Sequence, residues 1–143
     1  MTRTEIVTEA KTWIGTKWQH QACLKGVACD CVGLIRGVYV VLTGKEPDVP
    51  LDYPATWPLY KTTERLYNEC LNYLTEIDVA DAKIGDLLLF GFGKGPACHI
   101  GIKITDSTFI HSWQSVGKVS ISRLDSYWTP KIRYAMQYPD VTG

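Results

Sequence analysis

Cys31, His99 and His111 are the side chains of this sequence whose types and spacing allow nucleophilic catalysis. The run Ala28-Cys29-Asp30-Cys31-Val32-Gly33-Leu34-Ile35 puts Asp30 where a helix N-cap belongs and Cys31 in the first turn. Unpaired backbone N–H groups and the positive end of the helix dipole favour thiolate over thiol there, so a depressed pKa is expected for Cys31. A thiolate needs a proton acceptor that later protonates the leaving amine, and histidine suits both steps near neutral pH. His99 opens the run His-Ile-Gly-Ile-Lys-Ile, and His111 lies in Thr-Phe-Ile-His-Ser-Trp. A hairpin turning at about Asp106 and Ser107 sets residues 99 and 111 close to opposite one another. One imidazole would then fix the tautomer and angle of the other, and a Cys-His-His site follows from spacing.

These residues require a scaffold, and the apolar periodicity supplies one. Ile6, Val7, Ala10, Trp13 and Ile14 predict a helix over 3–14, with Thr2 and Glu5 placed for a capping box and Gly15 as its stop. A polar loop covers 16–29. Cys31, Leu34, Ile35, Val38, Tyr39, Val41 and Leu42 form the apolar stripe of a second helix that Gly44 ends. Four prolines break regular structure over 45–58, and Leu66, Tyr67, Cys70, Leu71 and Leu74 suggest a third helix over 59–74. After Asp86 the pattern changes to short aliphatic and aromatic runs at 87–92, 100–105, 108–113, 116–122 and 132–138, which read as strands. Helices followed by consecutive strands predict an α+β fold, with N-terminal helices packed on a small antiparallel sheet.

The bulk properties agree with a single domain spanning residues 1–143. Hydrophobic residues make up 45% and charged residues 21%, which excludes a disordered, charge-rich chain. Fifteen basic residues balance fifteen acidic ones, so no broad field draws the protein to nucleic acid or an anionic membrane. The N-terminal run lacks the apolar stretch of a signal peptide, and no apolar run is long enough for a bilayer. The expectation is synthesis in the cytoplasm without an export signal. Five cysteines, an odd number in a domain of this size, argue against a disulfide framework.

Four segments together resemble the NlpC-type cell-wall endopeptidases, a papain-like family. Asp30-Cys31-Val32-Gly33-Leu34 is similar to the family's Asp-Cys-Ser-Gly-Leu signature, and Gly85-Asp86-Leu87-Leu88-Leu89-Phe90 to its Gly-Asp-Leu strand entry. His99-Ile100-Gly101-Ile102 is similar to its His-Val-Gly-Ile strand, and Phe109-Ile110-His111-Ser112 to the segment carrying its third catalytic residue. The motifs occur in family order between about Gly15 and Tyr138. The pattern around Gly15-Thr16-Lys17-Trp18-Gln19-His20-Gln21 and Gly26-Val27-Ala28-Cys29-Asp30-Cys31 most resembles the branch carried by bacteriophages and gene transfer agents, where the enzyme belongs to the tail.

The resemblance implies a papain-like fold with Cys31 as nucleophile, His99 as base and His111 as its orienting group. The implied reaction is hydrolysis of a peptidoglycan stem peptide, commonly at the D-γ-glutamyl-diamino acid bond. Peptidoglycan and phage-like tail proteins are the implied partners, the cell wall the implied place of action, and no cofactor is required. Val32 departs from the family serine and Trp18 from a common tyrosine that helps the oxyanion; the Cys31 backbone N–H remains as a donor. Trp18, His20 and Asp30 are the substrate-side candidates. Asp30 either recognises a free substrate amine or only caps the helix, and His20 either joins the cleft or satisfies backbone groups.

Blander readings stand beside these. Free cysteines commonly act as small buried hydrophobes, the expected role of Cys70. Cys23, Cys29 and Cys98 with Cys31 and the histidines contain enough sulfur and nitrogen for a metal, yet Cys-x-Cys spacing is tight for zinc, and no metal is expected. Two rival functions remain: a catalytically silent tail or scaffold protein that binds cell wall, and a papain-like amidase or acyltransferase on another substrate.

Overall fold

The computed structural model describes residues 1–47 and 64–143. Helix α1 (Arg3–Lys11) begins with the anticipated capping box: the Thr2 hydroxyl accepts the Glu5 N–H, and the Glu5 carboxylate accepts the Thr2 N–H. It stops three residues sooner than its apolar stripe, so that Trp13 packs inward from a turn while Ile14 is exposed. Helix α2 (Cys31–Thr43) runs from Asp30 to Gly44, whose φ of 71° is the left-handed C-cap that glycine adopts without penalty. Its stripe buries Cys31, Leu34, Ile35 and Val38 but leaves Val41 exposed. Helix α3 (Arg65–Leu71) buries Leu66 and Cys70; positions 59–63 of the expected third helix lie outside the described residues.

The described strands form one sheet in the order β2-β3-β1-β8-β7-β6-β5-β9-β4. Its long centre consists of β8 (Lys118–Arg123), β7 (Thr108–Trp113), β6 (Ala97–Thr105), β5 (Leu87–Gly91) and β9 (Ile132–Gln137), all paired antiparallel. The strand β4 (Thr75–Ile77) adds to β9. The expected α+β arrangement of helices on an antiparallel sheet is present, with one short parallel pairing added to it. The segment read as a loop holds three two-residue strands, β1 (Lys17–Trp18), β2 (Cys23–Leu24) and β3 (Ala28–Cys29), and β1 pairs with β3 in parallel. Two residues carry no period-2 signal, so such strands exist only through their partners.

Alternation along the strands makes two cores. Leu87, Leu89, Ile100, Ile102, Ile110 and Val119 turn toward Ile6, Ala10, Leu34 and Val38 of the helices. Leu88, Phe90, Phe109 and Ala135 turn the other way and are closed over by Trp128. Burying such side chains contributes roughly 1.5–3 kcal/mol each as an upper bound. A part-buried ion pair holds α1 to the sheet entry: Arg3 Nη1 lies 2.7 Å from Asp86 Oδ1, and Asp86 Oδ2 accepts the Lys83 N–H. Among the described residues no helix is long and apolar enough to cross a membrane.

Candidate active site

One buried carboxylate organises the N-terminus of α2. Asp30 Oδ1 accepts the Gly33 N–H at 2.7 Å, the predicted cap, and Oδ2 accepts the Gln21 N–H at 2.7 Å from the preceding loop. The loop presses so close that a Cβ on Gly33 would stand 2.0 Å from the Ala22 carbonyl oxygen. A glycine two residues after Cys31 is therefore a packing requirement: any side chain there would push the loop off the helix end. Cys23 contributes to the same closure, its thiol donating to the Gly33 carbonyl at 3.1 Å.

Cys31 begins the helix and is 7% exposed. Burial pushes its thiol well above the ordinary value, the Asp30 carboxylate adds to the rise, and the Ile100 and Val32 N–H groups pull partly back. This reverses the expected depression. A helix N-terminus is worth up to about 2 kcal/mol to an anion, whereas taking a charge out of water costs several kcal/mol, so desolvation wins. Cys31 rests as a thiol. Its contact with the Ile100 N–H sets the sulfur beside the peptide group that follows His99.

His99 lies on β6, paired with Phe90 of β5, and His111 lies on β7. The turn falls at Asp106 and Ser107 as anticipated, but the register does not bring the two histidines face to face. Ile102 pairs with Ile110 and Lys103 with Phe109, so Gly101 stands across from His111 and the histidines are diagonal neighbours. They nevertheless meet: His99 Nε2 lies 2.7 Å from His111 Nδ1. Gly101 leaves the room for this, since a Cβ there would lie 2.8 Å from Phe109 Cδ2 and 3.2 Å from His111 Cβ. Beyond His111, its Nε2 lies 2.7 Å from Ser122 Oγ of β8.

Both rings are buried and neutral near pH 7. Burial, reinforced by the neighbouring His111, holds His99 well below the ordinary imidazole range, and burial lowers His111 to about 4. Aromatic walls enclose them, with Trp128 edge-on to His111 at 5.2 Å between centroids and Trp113 at 5.6 Å. With His99 Nε2 engaged by His111, Nδ1 is the ring nitrogen left to exchange a proton. Sequence patterns pointed to neither Ser122 nor Trp128 and gave Gly101 and Trp113 only as members of their strand runs, because the relation of all four to the histidines runs through strand register.

The substrate-side candidates gather at the same helix end. Trp18 pairs with Cys29 and is half-buried, its N–H donating to the Gly117 carbonyl. His20 Nδ1 lies 3.9 Å from Asp30 Oδ2. The Ser112 hydroxyl donates to the Cys29 carbonyl at 2.7 Å, tying β7 to β3. All five cysteines are free. Burial lifts Cys29 and Cys70 to about 12 and Cys98 to about 11, and raises Cys23 as well. Among the described residues no group of three or more His, Cys, Asp or Glu side chains is arranged to hold a metal ion.

The fold has clear counterparts. The NlpC/p60 domain of the peptidoglycan hydrolase SagA superposes with a TM-score of 0.66 at 25% identity, over 96% of this chain and 99% of that one. An NlpC/P60 family protein from Bacillus cereus gives 0.68 at 21% identity, over 95% of this chain but only 40% of its own. RipD from Mycobacterium tuberculosis, described as a non-catalytic NlpC/p60 domain protein adapted to peptidoglycan binding, gives 0.61 at 13% identity, covering 94% and 95%. The last two bear on the fold alone. No curated protein matches the sequence. The pattern of the NlpC/P60 family matches residues 12–137, and the chain belongs to that family.

Proposed function

We propose that the protein is a cysteine endopeptidase that hydrolyses a peptide bond of the peptidoglycan stem. The observation that carries this reading is the His99–His111 hydrogen bond of 2.7 Å, on the strand whose Ile100 N–H meets the Cys31 sulfur. In the proposed reaction the Cys31 proton passes to His99 Nδ1 as the sulfur bonds to the scissile carbonyl carbon. The resulting imidazolium donates its Nε2–H to His111 Nδ1, so the charge forms against a fixed acceptor. The Cys31 backbone N–H stabilises the oxyanion. His99 returns the proton to the leaving amine, and water, deprotonated by His99, then hydrolyses the thioester. The D-γ-glutamyl-diamino acid bond is the bond we assign, with Trp18, His20 and Asp30 on the substrate side.

Incubation with purified peptidoglycan and mass analysis of the fragments tests the assignment, with Cys31→Ala as control. Fragments split within the stem are expected. Intact stems with a cleaved lactyl-peptide bond indicate an amidase, and binding without cleavage indicates a silent wall-binding domain.

For delivery we propose a phage or phage-like tail that carries the enzyme to the wall. The support is the resemblance of the Gly15–Gln21 and Gly26–Cys31 segments to the tail-borne branch. Purified particles are expected to contain the chain; its confinement to the soluble fraction of lysed cells argues for an autonomous enzyme.

A further inference from the structure

We propose that Ser122 is a positioning residue of this site, holding His111 in the tautomer that leaves His99 able to accept a proton. The inference rests on the Cys-His-His reading and adds a fourth group to it. His99, His111 and Ser122 form a row in which two contacts of 2.7 Å share the His111 ring between them. For two neutral rings the row has two polarities. In one, His99 Nε2–H donates to His111 Nδ1, and His111 Nε2–H donates to the Ser122 oxygen; His99 Nδ1 then keeps its lone pair. In the other, the Ser122 hydroxyl donates to His111 Nε2 and His111 Nδ1–H donates to His99 Nε2. His99 Nδ1 then carries hydrogen and accepts nothing.

Burial and exposure select between them. His111 is 0% exposed, so its Nε2–H has no water to turn to and depends on Ser122 Oγ. Ser122, on the strand next to β7, is only half-buried. A half-buried serine can turn its hydrogen toward solvent while its oxygen accepts the buried His111 Nε2–H, and this favours the productive polarity. Without the Ser122 oxygen, a hydrogen on His111 Nε2 is buried without a partner, and the ring does better by moving it to Nδ1. The same oxygen receives His111 Nε2–H when His99 becomes charged, so its effect belongs to turnover rather than to substrate binding.

The test combines ring-nitrogen NMR of His111 with kinetics on purified peptidoglycan for wild type, Ser122→Ala and Ser122→Thr, each checked by thermal melting. The expected wild-type spectrum shows hydrogen on His111 Nε2. Ser122→Ala is expected to move hydrogen to Nδ1 and lower kcat on the order of tenfold with KM unchanged, while Ser122→Thr, which keeps an oxygen, restores both. An unchanged His111 spectrum in Ser122→Ala, or a Ser122→Thr variant as impaired as the alanine one, overturns the proposal. Full activity of Cys31→Ala or His99→Ala would instead sink the triad reading, and the tautomer spectra of His111 separate that failure from this one.

Discussion

Gly101 stands across the hairpin from His111, and a Cβ on it would lie 3.2 Å from the Cβ of that residue, whose ring Nδ1 lies 2.7 Å from Nε2 of the diagonal His99. The site therefore depends on a residue with no chemistry of its own. Gly101→Ala places a methyl group 2.8 Å from Phe109 Cδ2 and 2.9 Å from the Ile110 carbonyl oxygen. The expected outcome is a loss of about 1–3 kcal/mol of stability, together with a fall in kcat as the His99–His111 contact is displaced. Denaturant unfolding and peptidoglycan turnover measure the two effects; an alanine variant with wild-type values of both shows that the contact needs no such space.

The two histidines differ in what can replace them. His99 must carry a proton, so His99→Ala is expected to abolish turnover nearly as fully as Cys31→Ala. His111 only orients and stabilises, so His111→Asn or His111→Gln should retain measurable activity, and His111→Ala should fall below them by on the order of tenfold or more. Thermal melting separates lost activity from lost structure. If His111→Ala turns over peptidoglycan at the wild-type rate, the third position belongs to another residue, with His20 first to be examined.

Acid should weaken the fold through the buried rings. In the unfolded chain His111 takes up a proton as pH falls past 6.5, whereas in the folded protein it resists until about 4. Between those values the unfolded state holds more protons, so stability present above pH 6.5 is lost progressively toward pH 4. His111 alone accounts for about 3 kcal/mol of that loss, and His99, lowered by the same burial, adds to it. Melting temperatures between pH 7.5 and 4.5 should fall, and more shallowly for His111→Asn. Parallel curves for variant and wild type would remove His111 from the account.

Because the Cys31 thiol is raised rather than depressed, its reactivity must come from proton transfer rather than from a standing thiolate. Alkylation of Cys31 by iodoacetamide at neutral pH is expected to slow on the order of tenfold or more in His99→Ala. Alkylation of half-exposed Cys23 should not change. Peptide mapping at short reaction times reads both rates together, and equal Cys31 labelling with and without His99 would show that another group accepts its proton.

What the sequence by itself determined is what local chemistry specifies. The Thr2–Glu5 box, the Asp30 cap, the Gly44 stop, the turn at Asp106 and Ser107 and the bounds of β7 each depend on a few neighbouring residues, and all stand where the pattern put them. So do Cys31 at a helix start and Cys70 in the core. Tertiary structure decided the rest. Whether the Cys31 thiol is lowered or raised depends on how completely the sheet covers the helix end, and no local pattern measures burial. That His111 meets His99 diagonally and Ser122 on its other side follows from register across three strands, where a shift of one residue would turn every side chain to the other face. The parallel pairing of β1 with β3 and the pressure of Ala22 on Gly33 arise in the same way, from segments whose structure exists only in contact with their partners.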